Sequence, residues 1–181
     1  RAVFTVTNAR AETVTYTAED TTDDVTVTQT ASVTFTTGAA DAAQSTLTSS
    51  LANVVADGVA SSTLTVTLKD AYGNPINGHA VSLTQGSGSS VIAAVYDTTD
   101  ADGRAVFTVT NARAETVTYT AGDTTDNVTI DQTAQVNFTR LPSGGGGSTV
   151  TAPAPGSVID LNGTSFDPDK IDTANPSIIF E

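Results

Sequence analysis

The sequence predicts an all-β chain built from tandem antiparallel β-sandwiches, and three observations carry that prediction. Threonine occurs 35 times in 181 residues, and a β-branched side chain with a polar tip suits an extended strand with one wet face. Apolar and polar residues alternate in steps of two, as in Leu64-Thr65-Val66-Thr67-Leu68, which is the period of a half-buried strand. The third observation is a repeat: Arg1–Thr36 returns at Arg104–Thr139 with 30 of 36 positions identical, a shift of 104 − 1 = 103 residues. A period near 100 residues is that of a sandwich domain, not of a solenoid turn.

Between the two copies the strands follow in order, each bounded by turn residues. Ser45–Ser49, continuing to Val55, is the first, followed by Ser62–Lys69, His79–Thr84, Val91–Tyr96, Arg104–Thr110, Glu115–Ala121 and a long, kinked Asn127–Thr139. Their boundaries are Ala56-Asp57-Gly58, Asp70–Pro75, Gly86-Ser87-Gly88, Asp97–Gly103, Asn111–Ala114 and Gly122–Asp126. Seven short strands at this spacing predict two packed antiparallel sheets over residues 41–140. Residues 1–37 then correspond to the last three strands of a preceding copy, and Phe4, Val6, Val14, Tyr16, Val33 and Phe35 are expected to need a cover. Residues 141–148 are a Gly-rich linker by composition. Residues 149–181 are either the start of a divergent module or a C-terminal extension, with strands expected at Val158–Leu161 and Ser177–Phe180. Because Arg1 is not an initiator residue and no signal segment precedes it, the chain is expected to be an excerpt of a longer tandem array.

Strand parity assigns the core. Leu64, Val66, Leu68, Val81, Leu83, Phe107, Val109, Val117, Tyr119, Val128, Ile130, Val136 and Phe138 point inward; Thr63, Thr65, Thr67, Thr108, Thr110, Thr116 and Thr118 point outward. Seven Lys and Arg against 20 Asp and Glu give a formal charge of −13, which excludes phosphate-tracking nucleic-acid binding and polybasic membrane attachment. No apolar run approaches the roughly 18 residues of a spanning helix. The chain has no Cys and one His, so it offers no disulfide, no thiol nucleophile and no His-based relay. His79 is read as a strand-end side chain, and no enzyme is expected.

Several residues carry a family resemblance. Ala56-Asp57-Gly58, then Lys69-Asp70-Ala71-Tyr72-Gly73-Asn74-Pro75, then Thr99-Asp100-Ala101-Asp102-Gly103 stand in the order seen in bacterial immunoglobulin-like repeats of the invasin/intimin type. The sequence resembles that family over about residues 41–140 and, in part, 1–37. The resemblance implies an extracellular stalk module on a bacterial surface adhesin, partnered by neighbouring repeats and holding a binding domain away from the cell. The competing expectation is a subunit of a self-assembling filament or virion surface, with the half-module 1–37 completed by a strand from another copy of the chain, for instance Ser177–Phe180. A glycan-binding module would need exposed aromatics, for which Tyr72 is the one clear candidate.

In an immunoglobulin-like sandwich alternate turns share an end. The turns after Lys69, Tyr96 and Ala121 therefore meet where the chain enters, and gather Asp70, Asp97, Asp100, Asp102, Asp123 and Asp126 beside Asp41. Two readings stay open. Asp41, Asp97, Asp100, Asp102, Asp123 and Asp126 are candidate Ca²⁺ ligands, since converging carboxylates with backbone carbonyls form the oxygen cage this ion takes. Alternatively these carboxylates are solvated, or face Arg10 of the preceding module. The linker Thr37–Asp41 is too short and featureless to be expected to fix the joint by itself.

Overall fold

The computed structural model describes residues 1–140 and the backbone of two short strands beyond them. It divides into Arg1–Leu141 and Pro142–Glu181. Every described element is a β-strand. In the second unit Asp160–Leu161 pairs antiparallel with Thr164–Ser165, the first of these falling within the expected strand Val158–Leu161. The expected linker 141–148, the remainder of 149–181 and the expected strand Ser177–Phe180 lie outside the described residues.

Four strands open the first unit: β1 (Glu12–Tyr16), β2 (Glu19–Asp20), β3 (Val25–Thr26) and β4 (Ala31–Phe35). The complete module follows with β5 (Thr46–Ser49), β6 (Asn53–Val55), β7 (Ser61–Thr67), β8 (Val81–Gln85), β9 (Val91–Tyr96), β10 (Arg104–Thr110), β11 (Glu115–Asp123), β12 (Val128–Thr129) and β13 (Ala134–Thr139). One sheet runs β5-β7-β10-β9; the other runs β12-β11-β13-β6, with β8 also paired to β11. This is a two-sheet sandwich.

The expected first strand is split between the sheets. β5 pairs antiparallel with β7, whereas β6 pairs parallel with β13. Ser62 makes the crossing possible, because its hydroxyl donates to Leu51 O at 2.9 Å and accepts from Leu51 N at 3.1 Å. The Ser50 hydroxyl accepts from Thr63 N at 2.9 Å, so the backbone of the crossing segment keeps hydrogen-bond partners as it leaves one sheet for the other. The expected last strand is likewise broken. Ile130 turns into the core and donates its amide to Ala121 O at 3.0 Å, separating β12 from β13.

The alternation read from sequence is kept. Leu64, Val66, Leu68, Val81, Phe107, Val109, Val117, Tyr119, Ile130, Val136 and Phe138 are buried in one cluster, with Leu83 and Val128 packed partly against it. Leu47, Val54 and Ile76 complete the cluster, along with Ala40, Ala105, Ala121 and Ala134. At the end of the molecule where β7 leaves its sheet, Gly103 has φ +76° and a Cβ there would lie 2.5 Å from Leu68 O. Only glycine fits a left-handed position pressed against backbone in this way.

The half-module shows what the sandwich adds. β1 and β4 pair in the register of β11 and β13, Val14 opposite Val33 as Val117 is opposite Val136, and Asp24 and Asn127 occupy the same left-handed turn position. Arg1–Thr7, however, forms no strand, although the identical heptapeptide Arg104–Thr110 is the seven-residue β10. This corrects the expectation of three strands in residues 1–37. β10 is a central strand held by β7 on one side and β9 on the other, and the half-module has neither neighbour. Phe4 is 79% exposed, Val3 and Val6 are exposed with it, and Val14, Tyr16, Val33 and Phe35 are half-buried. Among the described residues nothing supplies the cover the sequence calls for.

Candidate functional site at the module joint

The turns after β7, β9 and β11 do share the end where the chain enters the module. His79 and Thr99 exchange bonds across two of these turns, His79 N to Thr99 Oγ1 at 2.9 Å and Thr99 N to His79 O at 2.9 Å. The carboxylates, though, do not converge on one point. Asp41 Oδ1 accepts from Ala43 N and Gln44 N, and Asp100 Oδ1 accepts from Asp102 N and Arg104 N, both at 2.9 Å. Among the described residues the Asp97 carboxylate accepts only from the neighbouring Thr98 hydroxyl, at 3.5 Å. Asp102 reaches Arg104 at 4.0 Å. These four side chains serve their own loops, as Asp and Asn do in turns.

Asp123 and Asp126 are brought together, and with a residue the sequence did not nominate. His79 Nδ1 lies 2.8 Å from Asp123 Oδ2 and 3.7 Å from Asp126 Oδ2. Asp123 is buried and also accepts from Thr125 N at 2.8 Å. Among the described residues His79, Asp123 and Asp126 are the one group of three whose ligand atoms lie close enough to share an ion. The imidazole bonds the buried carboxylate and ties the chain before β8 to the end of β11. Nothing local in the sequence could reveal this contact, because its partners are 44 residues apart.

The linker is the second surprise. Its backbone is pinned at successive points: Gly38 N donates to Asp70 Oδ2 at 3.1 Å, Ala40 N to Asp126 Oδ2 at 2.9 Å, and Asp41 N to Lys69 O at 2.8 Å. Asp70, 2% exposed, takes four donors: Gly38 N and Asn74 Nδ2 on Oδ2, Tyr72 N and Asn74 N on Oδ1. Burial alone pushes this carboxyl up. The Asn74 side chain and the amides of Gly38, Asn74 and Tyr72 together outweigh burial and hold it below the ordinary carboxylate value. The linker is thus held not by itself but by the acidic end, two of whose carboxylates accept its amides.

Beyond the linker, Asn74 reaches the half-module directly. Its Nδ2 donates to Ala9 O at 2.9 Å and its Oδ1 accepts from Ala11 N at 3.1 Å. These residues flank Arg10, yet among the described residues Arg10 makes no ion pair. The contact expected of the Arg10 turn is made by its backbone.

At the opposite end two smaller networks hold the loops. Glu115 accepts from Asn111 Nδ2 at 2.7 Å and from Ser89 N and Oγ at 2.7 and 2.8 Å. These bonds, that of Asn111 foremost, hold its carboxyl below the usual range. The buried Tyr119 hydroxyl donates to Ser90 Oγ at 2.8 Å, and Ser90 bonds Gln85. Burial pushes the Tyr119 hydroxyl up.

The sequence profile of the bacterial Ig-like domain (group 1) matches residues 44–139, the span of this two-sheet sandwich. The chain belongs to that family. Solved bacterial structures carry similar folds. The bacterial Ig-like module here is similar to invasin, described as a bacterial integrin-binding protein, at 28% identity and TM-score 0.52, over 75% of this chain and 26% of that one. It is similar to Yersinia pseudotuberculosis InvD at 22% identity and TM-score 0.53, over 72% and 38% of the two chains. The Escherichia coli adhesin FdeC matches at 23% identity and TM-score 0.51, over 62% and 36%. The chain therefore spans roughly a quarter to two fifths of these proteins' length. No curated protein sequence matches it.

Proposed function

We propose that this chain is a non-catalytic spacer segment of a bacterial cell-surface adhesin, standing outside the cell with further bacterial Ig-like modules as its neighbours. One observation carries the reading. The segment joining two near-identical copies is held by Asp70 and Asp126, and the turn ahead of it by Asn74, so consecutive modules are fixed end to end, not strung on a loose tether. Such a joint suits reach: each module contributes about 23 Å of a seven-residue strand plus its turns. A net charge of −13 keeps a long array soluble. The similarity to invasin and FdeC supports placement on an adhesin.

In this reading the joint is held by the chain's own hydrogen bonds, with Asp70, Asp123 and Asp126 each accepting donors. A filament or virion-surface subunit is the second reading, in which a strand of another copy, instead of preceding residues of the same chain, buries the apolar side chains of Arg1–Thr7. Sedimentation of the full chain over a hundredfold concentration range separates the two. A single monomeric species supports the spacer; concentration-dependent polymers reject it in favour of the filament.

A further inference from the structure

The turn that Asn74 grips exists twice. Asn8-Ala9-Arg10-Ala11 and Asn111-Ala112-Arg113-Ala114 are the same tetrapeptide, and both are built by the same bonds. Asn8 Oδ1 accepts from Arg10 N at 2.9 Å while its Nδ2 donates to Glu12 at 2.9 Å. Asn111 Oδ1 accepts from Arg113 N at 2.9 Å while its Nδ2 donates to Glu115 at 2.7 Å. The first copy keeps this shape without a sandwich beneath it, so the turn is organised locally.

Among the described residues only the first copy is occupied. Asn74 offers a fork of one donor and one acceptor, which matches a carbonyl and an amide two residues apart, and the fork is itself held by Asp70, which accepts from both Asn74 N and Nδ2. At the far end of the complete module Ala112, Arg113 and Ala114 are exposed. Beside them Gly58 donates to Asn111 O at 3.0 Å, and the next residue, Val59, is 81% exposed. On the gripping side Tyr72, two residues from Asn74, is 75% exposed. The counterpart of Asp57–Val59 in the preceding module is not among residues 1–37. Both ends of the module thus present one large apolar side chain next to one half of a backbone clamp.

We infer that the Asn111–Ala114 turn, with Val59 beside it, is a docking site for the Asp70–Pro75 turn of a second copy of this module. Asn74 of the second copy takes Ala112 O and Ala114 N–H, and its Tyr72 covers Val59. The inference rests on the spacer reading and names the surfaces by which the spacer extends.

The test lengthens the full chain by a second copy of residues 38–140 placed after Arg140, which keeps the 103-residue spacing. Ala11 and Ala114 share their local sequence, so their amide hydrogen-exchange rates serve as mutual controls. In the unlengthened chain Asn74→Ala is expected to speed Ala11 and leave Ala114 alone. In the lengthened chain Ala114 is expected to slow about two- to tenfold, and Asn74→Ala in the added copy is expected to abolish the slowing. The Val59 methyl signals should move on lengthening, and return when Tyr72 of the added copy is changed to Leu. An Ala114 rate indifferent to lengthening, or to Asn74→Ala, overturns the inference. Small-angle scattering of the same protein tests the underlying reading separately. An end-to-end shape with a fast Ala114 leaves the spacer standing without this clamp, whereas folded-back modules remove both.

Discussion

Replacing Asp70 by Asn isolates the carboxylate that holds the joint. The substitution keeps size and shape but turns one of the two acceptor oxygens into an NH₂ donor. Oδ1 faces Tyr72 N and Asn74 N, and Oδ2 faces Gly38 N and Asn74 Nδ2, so whichever way the new amide lies, it meets two donors. Leaving a donor unpaired costs about 1–3 kcal/mol when it is buried. Gly38 is exposed and Asn74 only partly buried, so water relieves part of this, and a loss of about 2–4 kcal/mol is expected at pH 7. For a module of this size that corresponds to a melting temperature lower by roughly 10–25 °C.

The pH dependence tests the cause. The folded-state pKa of Asp70 lies below its ordinary value. Its contribution is therefore fully present above the unfolded pKa of about 3.9 and is lost as pH falls through the lower folded-state value. Asp70→Asn does not titrate at this position. Asp57 and Glu115, also depressed by their hydrogen bonds, titrate in both proteins and cancel in the difference. Calorimetric melts of the full chain and the variant from pH 7 to pH 2 should show a wide gap that closes only in acid. A gap under about 2 °C at pH 7, or one that does not narrow with acid, would refute the reasoning.

Other expected outcomes test separate parts of the molecule. Gly103→Ala drives a Cβ to 2.5 Å from Leu68 O at φ +76° and is expected to cost about 2–4 kcal/mol in urea denaturation. Gly73→Ala, at φ +84° with nothing within 4 Å, should cost only about 1–2 kcal/mol. Because burial raises the Tyr119 pKa in the fold, the unfolded chain ionises first. Stability should therefore decline once pH passes about 10, and the part due to this residue should vanish in Tyr119→Phe. Millimolar Ca²⁺ against EDTA should leave the melting temperature of the full chain unchanged; a rise with Ca²⁺ concentration would mean that the folded state binds the ion and would return the Asp123–Asp126 cluster to the role of cation ligand.

Most of the fold was legible because it rests on local periodicity. Strand parity named the inward residues of β7, β10, β11 and β13, and turn chemistry bounded the strands. Legibility failed where one strand serves two partners. Nothing in Ser45–Val55 tells that Leu47 belongs to one sheet and Val54 to the other; the crossing depends on Ser62, which meets Leu51 only in the fold. The acidic end was legible as a place but not as an arrangement. The alternation of turns put Asp70, Asp100, Asp123 and Asp126 at one end, and the tertiary path then assigned each a different duty. Asp100 closes its own turn, Asp123 takes His79, Asp126 takes a linker amide, and Asp70 takes linker and turn together. Asn74, which bridges the modules, looked like a turn residue because it is also one.

The two copies of Arg-Ala-Val-Phe-Thr-Val-Thr separate local from cooperative structure within one molecule. In one copy the heptapeptide is a central strand with Phe107 and Val109 buried; in the other it is no strand and Phe4 lies open. Intrinsic propensity is identical in the two, so the difference comes from the neighbours β7 and β9 alone, as expected where cross-strand contacts decide strand stability. The Asn8 and Asn111 turns behave in the opposite way, holding one shape with and without a sandwich. The joint therefore combines a turn that keeps its shape without a sandwich with a carboxamide and a linker held by turns of the complete module. A module whose core is perturbed should keep its grip on the preceding copy until it unfolds as a whole, so urea unfolding of Val66→Ala, a core cavity expected to cost about 2–3 kcal/mol, should lower the midpoint while Ala11 exchange below that midpoint stays unchanged.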